Sequence, residues 1–157
     1  ADGCHLTHAH GKAVGGFPAD VIGSEDAYVA AKLLLGGYAV RYAADAEVYH
    51  SHDYRMFEEF RRYFDIGVFY GRERWIRNAF GSAGDEGKRY VLAEINALRE
   101  AGALMKLPEV LLRTLCKYAG YQLGLHESWL SVSFKRHLSM FPTYWNSPIS
   151  AKRKRQT

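Results

Sequence analysis

Three groups of residues carry side chains able to do chemistry. Glu25 and Asp26 stand together behind Ser24, after a Gly15-Gly16-Phe17-Pro18 turn and the apolar pair Val21-Ile22. A carboxylate pair can act as general base and hold hydroxyl groups, although acidic residues in a first helical turn also serve simply as partners of the helix dipole. Downstream, His50-Ser51-His52 offers two imidazoles, fit either for a metal ion or for an ordinary surface. Cys4, His5, His8 and His10 are zinc-capable, but their spacing matches no established finger and reads better as surface histidines of a Gly- and His-rich end.

The elements that must position these groups follow from periodicity and turn chemistry. A helix is expected from Ser24, a good N-cap, to the Gly36-Gly37 stop, with Val29, Leu33 and Leu34 buried. Two extended pieces follow, Tyr38 to Tyr42 and Glu47 to His50, joined by Ala43-Ala44-Asp45-Ala46. Alternation would put Val48, His50 and His52 on one strand face. This helix-strand-strand unit reads as the edge of a larger sheet, and an unpaired edge predicts a chain that is marginal, dimerises or aggregates.

After Asp53 the pattern becomes helical. Phe57, Phe60, Phe64, Val68 and Trp75 share one stripe, with Glu58, Glu59, Arg61, Arg62 and Asp65 around the other side. Gly67 and Gly71 predict a bend or a close helix contact. Further helices are expected over Glu86 to Leu104, with Val91, Ile95 and Leu98 inward, from Pro108 to Leu125, and over Trp129 to Leu138. The reading is an α/β fragment (residues 1–53) followed by a mainly helical subdomain (54–145) and a basic tail (146–157).

Composition bounds the function. The 157 residues are 48% hydrophobic and 24% charged, the profile of a globular domain with a real core. Aromatic residues reach 14%, enough for carbohydrate contact as well as a core. Much of the net charge of +4 lies in Lys152-Arg153-Lys154-Arg155, without any base-reading motif, so nucleic acid is not an expected partner. Arg72, Arg74 and Arg77 near Trp75 could meet anionic head groups, or the stripe could simply pack within the protein. Cys4 and Cys116 form no disulfide framework, and neither a signal peptide nor an apolar run of ~18 residues is present. A cytoplasmic protein, peripheral to a membrane at most, is expected.

In order, Gly15-Gly16-Phe17-Pro18, Glu25-Asp26, a helix closing on Gly36-Gly37-Tyr38, then Val40-Arg41-Tyr42 and Val48-Tyr49-His50-Ser51-His52 are similar to the second half of the catalytic domain in family 2 glycosyltransferases. Those are inverting enzymes of the GT-A fold. The run from Phe57 to Phe69 and the later Lys117-Tyr118-Ala119-Gly120-Tyr121-Gln122-Leu123-Gly124 resemble the rhamnosyltransferase branch, over roughly residues 13–145 in all. The resemblance implies the C-terminal part of a GT-A fold, with Asp26 as general base and Glu25 contacting acceptor or donor hydroxyls. It further implies His50 as a ligand to Mg²⁺ or Mn²⁺, and Tyr28 and His52 as acceptor contacts. The implied partners are a nucleotide-sugar donor, dTDP-rhamnose by this branch, and a lipid-linked glycan acceptor at the inner face of the cytoplasmic membrane; a homo-oligomer is also open. The family's Asp-x-Asp motif and first nucleotide-binding units are missing, and Asp45-Ala46-Glu47 lies on the wrong side of the base, so a chain without its donor-binding half is expected. The alternative is a non-catalytic helical module that binds a membrane or partner through aromatic and basic surfaces.

Overall fold

The computed structural model describes residues 14–40, 54–81 and 84–148. The chain divides into two compact units, Ala1–Asp53 and Tyr54–Thr157. Within the first lies helix α1, Glu25–Leu35. The second contains α2 (Met56–Arg72), α3 (Arg74–Phe80), α4 (Gly84–Glu100), α5 (Leu107–Leu125) and α6 (Val132–Leu138), with single 3₁₀ turns at Leu104–Lys106, Glu127–Trp129 and Tyr144–Asn146.

The expected α/β fragment of a GT-A fold is overturned: no described residue lies in a strand, and the described chain is a helical domain. Tyr38, Ala39 and Val40, expected to open the first strand, are irregular and exposed beyond the Gly36-Gly37 turn. Extended backbone becomes a strand only by pairing with a neighbour, and none is present among the described residues. The second extended piece, Glu47 to His50, lies outside the described residues. No sheet edge is present among the described residues.

The second unit is organised by the contact of α2 with α5. Gly67 on one helix meets Gly124 on the other, with Gly71 against Leu125 and Gly120 against Phe60 and Phe64, so backbone meets backbone. A Cβ at Gly67 would collide with the Tyr121 carbonyl oxygen, and one at Gly124 with that of Phe64. At Gly120 it would lie 2.5 Å from the Phe60 carbonyl oxygen, and at Gly71 3.1 Å from that of Leu125. Phe64, Val68 and Phe69 are fully buried around this crossing. Of the two consequences expected from Gly67 and Gly71, the close contact is the one realised. The chain instead turns at Glu73, whose N–H closes α2 on the Phe69 carbonyl at 2.8 Å and whose own carbonyl accepts from Ile76 at 3.0 Å to open α3. Trp75 therefore leaves the α2 stripe, and Phe57 at the other end is exposed.

Charged residues on α5 lie toward α2. Arg113 and Lys117 reach Glu59 at 3.3 and 3.5 Å, and Glu109 supports Arg113 one turn earlier. Partly exposed pairs of this kind contribute at most about 1 kcal/mol each, so they help fix register while glycine packing and apolar burial hold the helices. The opposite face of α5, with Leu111, Leu112, Leu115 and Tyr118, is exposed and carries no charge. Val91, Ile95 and Leu98 of α4 are half-buried, the inward face that their spacing predicts. Among the described residues no helix is long and apolar enough to cross a membrane.

Residues 127–146 strap the α2 side of this pair through buried polar contacts. Glu127 bonds Lys135 through one carboxylate oxygen and accepts from Arg72 Nη2 at 2.8 Å through the other. The three side chains are only 8, 4 and 7% exposed. Arg72 also donates to the Tyr144 hydroxyl at 3.0 Å, and both cations lie over the Trp145 ring. Arg61 donates to the Ser139 carbonyl, with Nε at 2.9 Å, and the Asp65 carboxylate accepts the Met140 N–H at 2.7 Å. Arg61 and Asp65, expected on a solvent-facing side of α2, are thus anchors for the strap. Asp65 is buried outright.

Gly67→Ala and Gly124→Ala each force apart backbones in contact and should cost about 1–3 kcal/mol or more in urea unfolding. Gly87→Ala, at a helical position with open space around its Cβ, should instead gain roughly 0.5–1 kcal/mol. Burial raises the Asp65 carboxyl from 3.8 to about 6, against the opposing pull of the Ser139 hydroxyl and the Met140 N–H. A raised folded-state pKa gives stability that is full below the unfolded value and lost as pH climbs through the folded one. Between pH ~4 and ~6.5 the wild type should therefore lose on the order of 2–3 kcal/mol relative to Asp65→Asn. Parallel pH profiles for the two proteins in thermal unfolding would contradict this.

Candidate functional site

Two successive residues in the left-handed region, Gly23 at φ 68° and Ser24 at φ 57°, turn the chain from the buried Val21-Ile22 pair into α1. Ser24 occupies the N-cap, as its type and place predict, but its hydroxyl makes no capping bond. Its carbonyl accepts the Tyr28 N–H at 3.1 Å. At the other end Gly37, at φ 82°, donates to the Leu34 carbonyl at 3.1 Å and Tyr38 donates to that of Leu33 at 3.0 Å. This double bond pattern ends the helix where the two glycines predict. Val29, Ala31 and Leu33 are buried, whereas Leu34, expected inside, is 41% exposed. Val29 and Leu33 are one turn apart, and position 34 is rotated ~100° away from position 33.

Glu25 and Asp26 form the first turn of α1, both exposed. Among the described residues neither carboxylate has a hydrogen-bond or ion-pair partner. Tyr28 lies three residues beyond Glu25, hence on the same side of the helix. Its half-buried ring sits beneath Lys32 Nζ at 4.9 Å, and the same ammonium donates to the Val14 carbonyl at 3.4 Å. Lys32 thus ties the turn at residues 14–16 to the helix that carries the two carboxylates. The site is a helical turn whose carboxylates have no partner among the described residues, suited to accepting a proton or hydroxyl hydrogen bonds.

The structure brings together Glu25, Asp26 and Tyr28; His50 and His52, with the Cys4, His5, His8 and His10 group, lie outside the described residues. Among the described residues no three His, Cys, Asp or Glu side chains converge as a metal site. Of the two readings open for Arg72, contact with head groups or packing within the protein, the structure shows the second, with Arg72 buried against Glu127. Its partner lies 55 residues away, and no local pattern announces such a pairing. Because Ser24 is strained and its hydroxyl caps nothing, Ser24→Gly should hold or raise stability by up to ~1 kcal/mol. A loss of about 1 kcal/mol in thermal unfolding, the usual effect of removing a cap, would contradict that reading.

No family profile matches the chain, and no solved structure matches it. Two characterised proteins are similar to it. The O-antigen chain rhamnosyltransferase WbaN of Salmonella anatum is 45% identical over 136 residues, which is 87% of this chain and 43% of that protein. The O-antigen chain rhamnosyltransferase RfbN of Salmonella typhimurium is 47% identical over 132 residues, 84% of this chain and 42% of that protein. Most of this chain is therefore similar to rhamnosyltransferases, and it spans less than half the length of the relatives it matches.

Proposed function

We propose that this chain is part of a glycosyltransferase of O-antigen synthesis, passing a rhamnosyl unit from a nucleoside-diphosphate donor, dTDP-rhamnose in this reading, to a growing lipid-linked glycan at the inner face of the cytoplasmic membrane. The similarity to two rhamnosyltransferases at 45 and 47% identity carries the reading. Since the chain spans less than half of either relative, donor binding falls to regions beyond the matched part, and the chain alone is expected to be inactive.

In this mechanism Asp26 is the general base. An acceptor hydroxyl is a weak nucleophile, and a fixed carboxylate that takes its proton during attack lowers the barrier. The hydroxyl oxygen forms its bond to the anomeric carbon as the bond to the diphosphate oxygen breaks. The electron pair leaves with the diphosphate, and the single displacement inverts the centre. Glu25 holds acceptor or donor hydroxyls, and Tyr28 with His52 contacts the acceptor. The implied Mg²⁺ or Mn²⁺, when bound, would neutralise charge on the leaving diphosphate, with His50 as this chain's ligand. The described residues alone do not offer a complete donor set, and no step above depends on one. The uncharged exposed face of α5 favours the second reading, a non-catalytic module that docks on a membrane or partner.

Substitution decides between them. In a complete enzyme carrying this region, Asp26→Asn should lower turnover by on the order of 10²–10⁴-fold while the fold, read by circular dichroism, is kept. Full activity in that variant would remove Asp26 as the base; activity dependent on Asp26 would remove the non-catalytic reading.

A further inference from the structure

Among the described residues the most exposed aromatic ring is that of Trp129, 80% open to solvent. Single exposed apolar side chains are ordinary on a protein surface, but this one stands on an anchored turn. The 3₁₀ turn Glu127–Trp129 follows α5 directly, and the Leu125 backbone just before it lies against Gly71 of α2. From inside, the Glu127 carboxylate is held by Arg72 and Lys135, all three side chains being buried. The Trp129 N–H donates to the His126 carbonyl at 3.1 Å, and the Leu130 N–H to that of Glu127 at 3.0 Å.

His126 restrains the indole itself. The two ring centroids lie 4.8 Å apart with the planes tilted by 36°. Nδ1 of His126 is 2.9 Å from the Gln122 carbonyl oxygen. A carbonyl can only accept, so Nδ1 donates and Nε2 is left for a further hydrogen bond. The segment around the ring, residues 128–134, carries no charge and contains three serines, of which Ser131 caps α6 by accepting the Phe134 N–H at 3.3 Å. A restrained ring loses little side-chain entropy on binding, and neutral surroundings suit a neutral ligand with one apolar face and hydroxyl groups at its edge.

We propose that Trp129, with His126 beside it, is a glycan-binding subsite that stacks on the C–H face of a pyranose ring. Axial C–H groups make that face apolar and match the negative face of an indole. His126 Nε2 and the indole N–H serve the hydroxyls at the edge. The choice of a glycan as ligand rests on the glycosyltransferase reading; the geometry belongs to the second unit alone.

Saturation-transfer NMR of the 157-residue chain tests the subsite with methyl α-L-rhamnopyranoside and methyl β-D-glucopyranoside, and with sorbitol as an acyclic polyol. Saturation should reach the ring C–H protons of a pyranoside and bypass sorbitol, with binding weakened about ten-fold or more in Trp129→Ala. Trp129→Phe, which keeps an aromatic face, should restore part of it. In the unaltered chain, the indole N–H resonance of Trp129 should shift with pyranoside while those of Trp75 and Trp145 stay. No transfer to either pyranoside, equal transfer to sorbitol, unchanged binding in Trp129→Ala, or a stationary Trp129 resonance overturns the proposal. So does a blue shift of tryptophan emission on phosphatidylcholine vesicles in place of pyranoside binding, which would assign the ring to a lipid surface. Loss of turnover in Asp26→Asn of the complete enzyme, together with no pyranoside binding here, overturns the subsite and leaves the glycosyltransferase reading standing.

Discussion

Where α2 crosses α5, carbonyl oxygens of each helix occupy the space in which a side chain of the other would begin. Glycine at positions 67, 120 and 124 is the condition for that approach, since any Cβ there meets backbone that cannot swing aside. Close approach multiplies small dispersion contacts along both backbones, and Phe64, Val68 and Phe69 of α2 are fully buried. The other described elements of the second unit are laid around this pair. The strap from Glu127 to Asn146 is anchored by Arg61, Asp65 and Arg72, which recur along α2 at spacings of four and seven residues.

Those anchors are polar and buried, which gives the strap a definite geometry at some expense in stability. Glu127 shows the balance. Burial by itself would raise its pKa, yet the Lys135 hydrogen bond and the Arg72 charge outweigh it and hold the carboxyl below the ordinary range. Asp65 lies on the other side of that balance, because its hydrogen bonds do not offset its desolvation. One unit thus contains a carboxylate that favours folding when charged and another that favours it when neutral. Removing either partner of the Glu127 set would leave a buried charge uncompensated, the circumstance in which such groups matter most.

Short-range patterns in the sequence carry much of this. Ser24 and the glycines at 36 and 37 bound α1 correctly, Pro108 stands in the first turn of α5, and Gly67 with Gly71 announces the close contact. What sequence reading misses depends on distant partners. Asp65 and Arg61 look like solvent-facing residues of an amphipathic helix, because Ser139 and Met140 lie more than seventy residues further on. The α/β expectation failed for a related reason, since alternation in a short segment says nothing about whether a pairing strand exists. At the candidate site, the helix that presents Glu25 and Asp26 follows from local chemistry, whereas the left-handed turn at Ser24 does not. A serine at an N-cap normally caps.

Native-state hydrogen exchange on the whole chain measures the central claim most directly, because opening of the α2–α5 crossing is the event on which the second unit's stability turns. Amides of residues 64–72 and 120–125 should exchange most slowly in that unit, near the rate of global unfolding, with α4 and the first turns of α5 exchanging earlier. Fast exchange at 64–72 and 120–125, or slowest exchange in α4, would mean that the glycine crossing is not what holds this unit together.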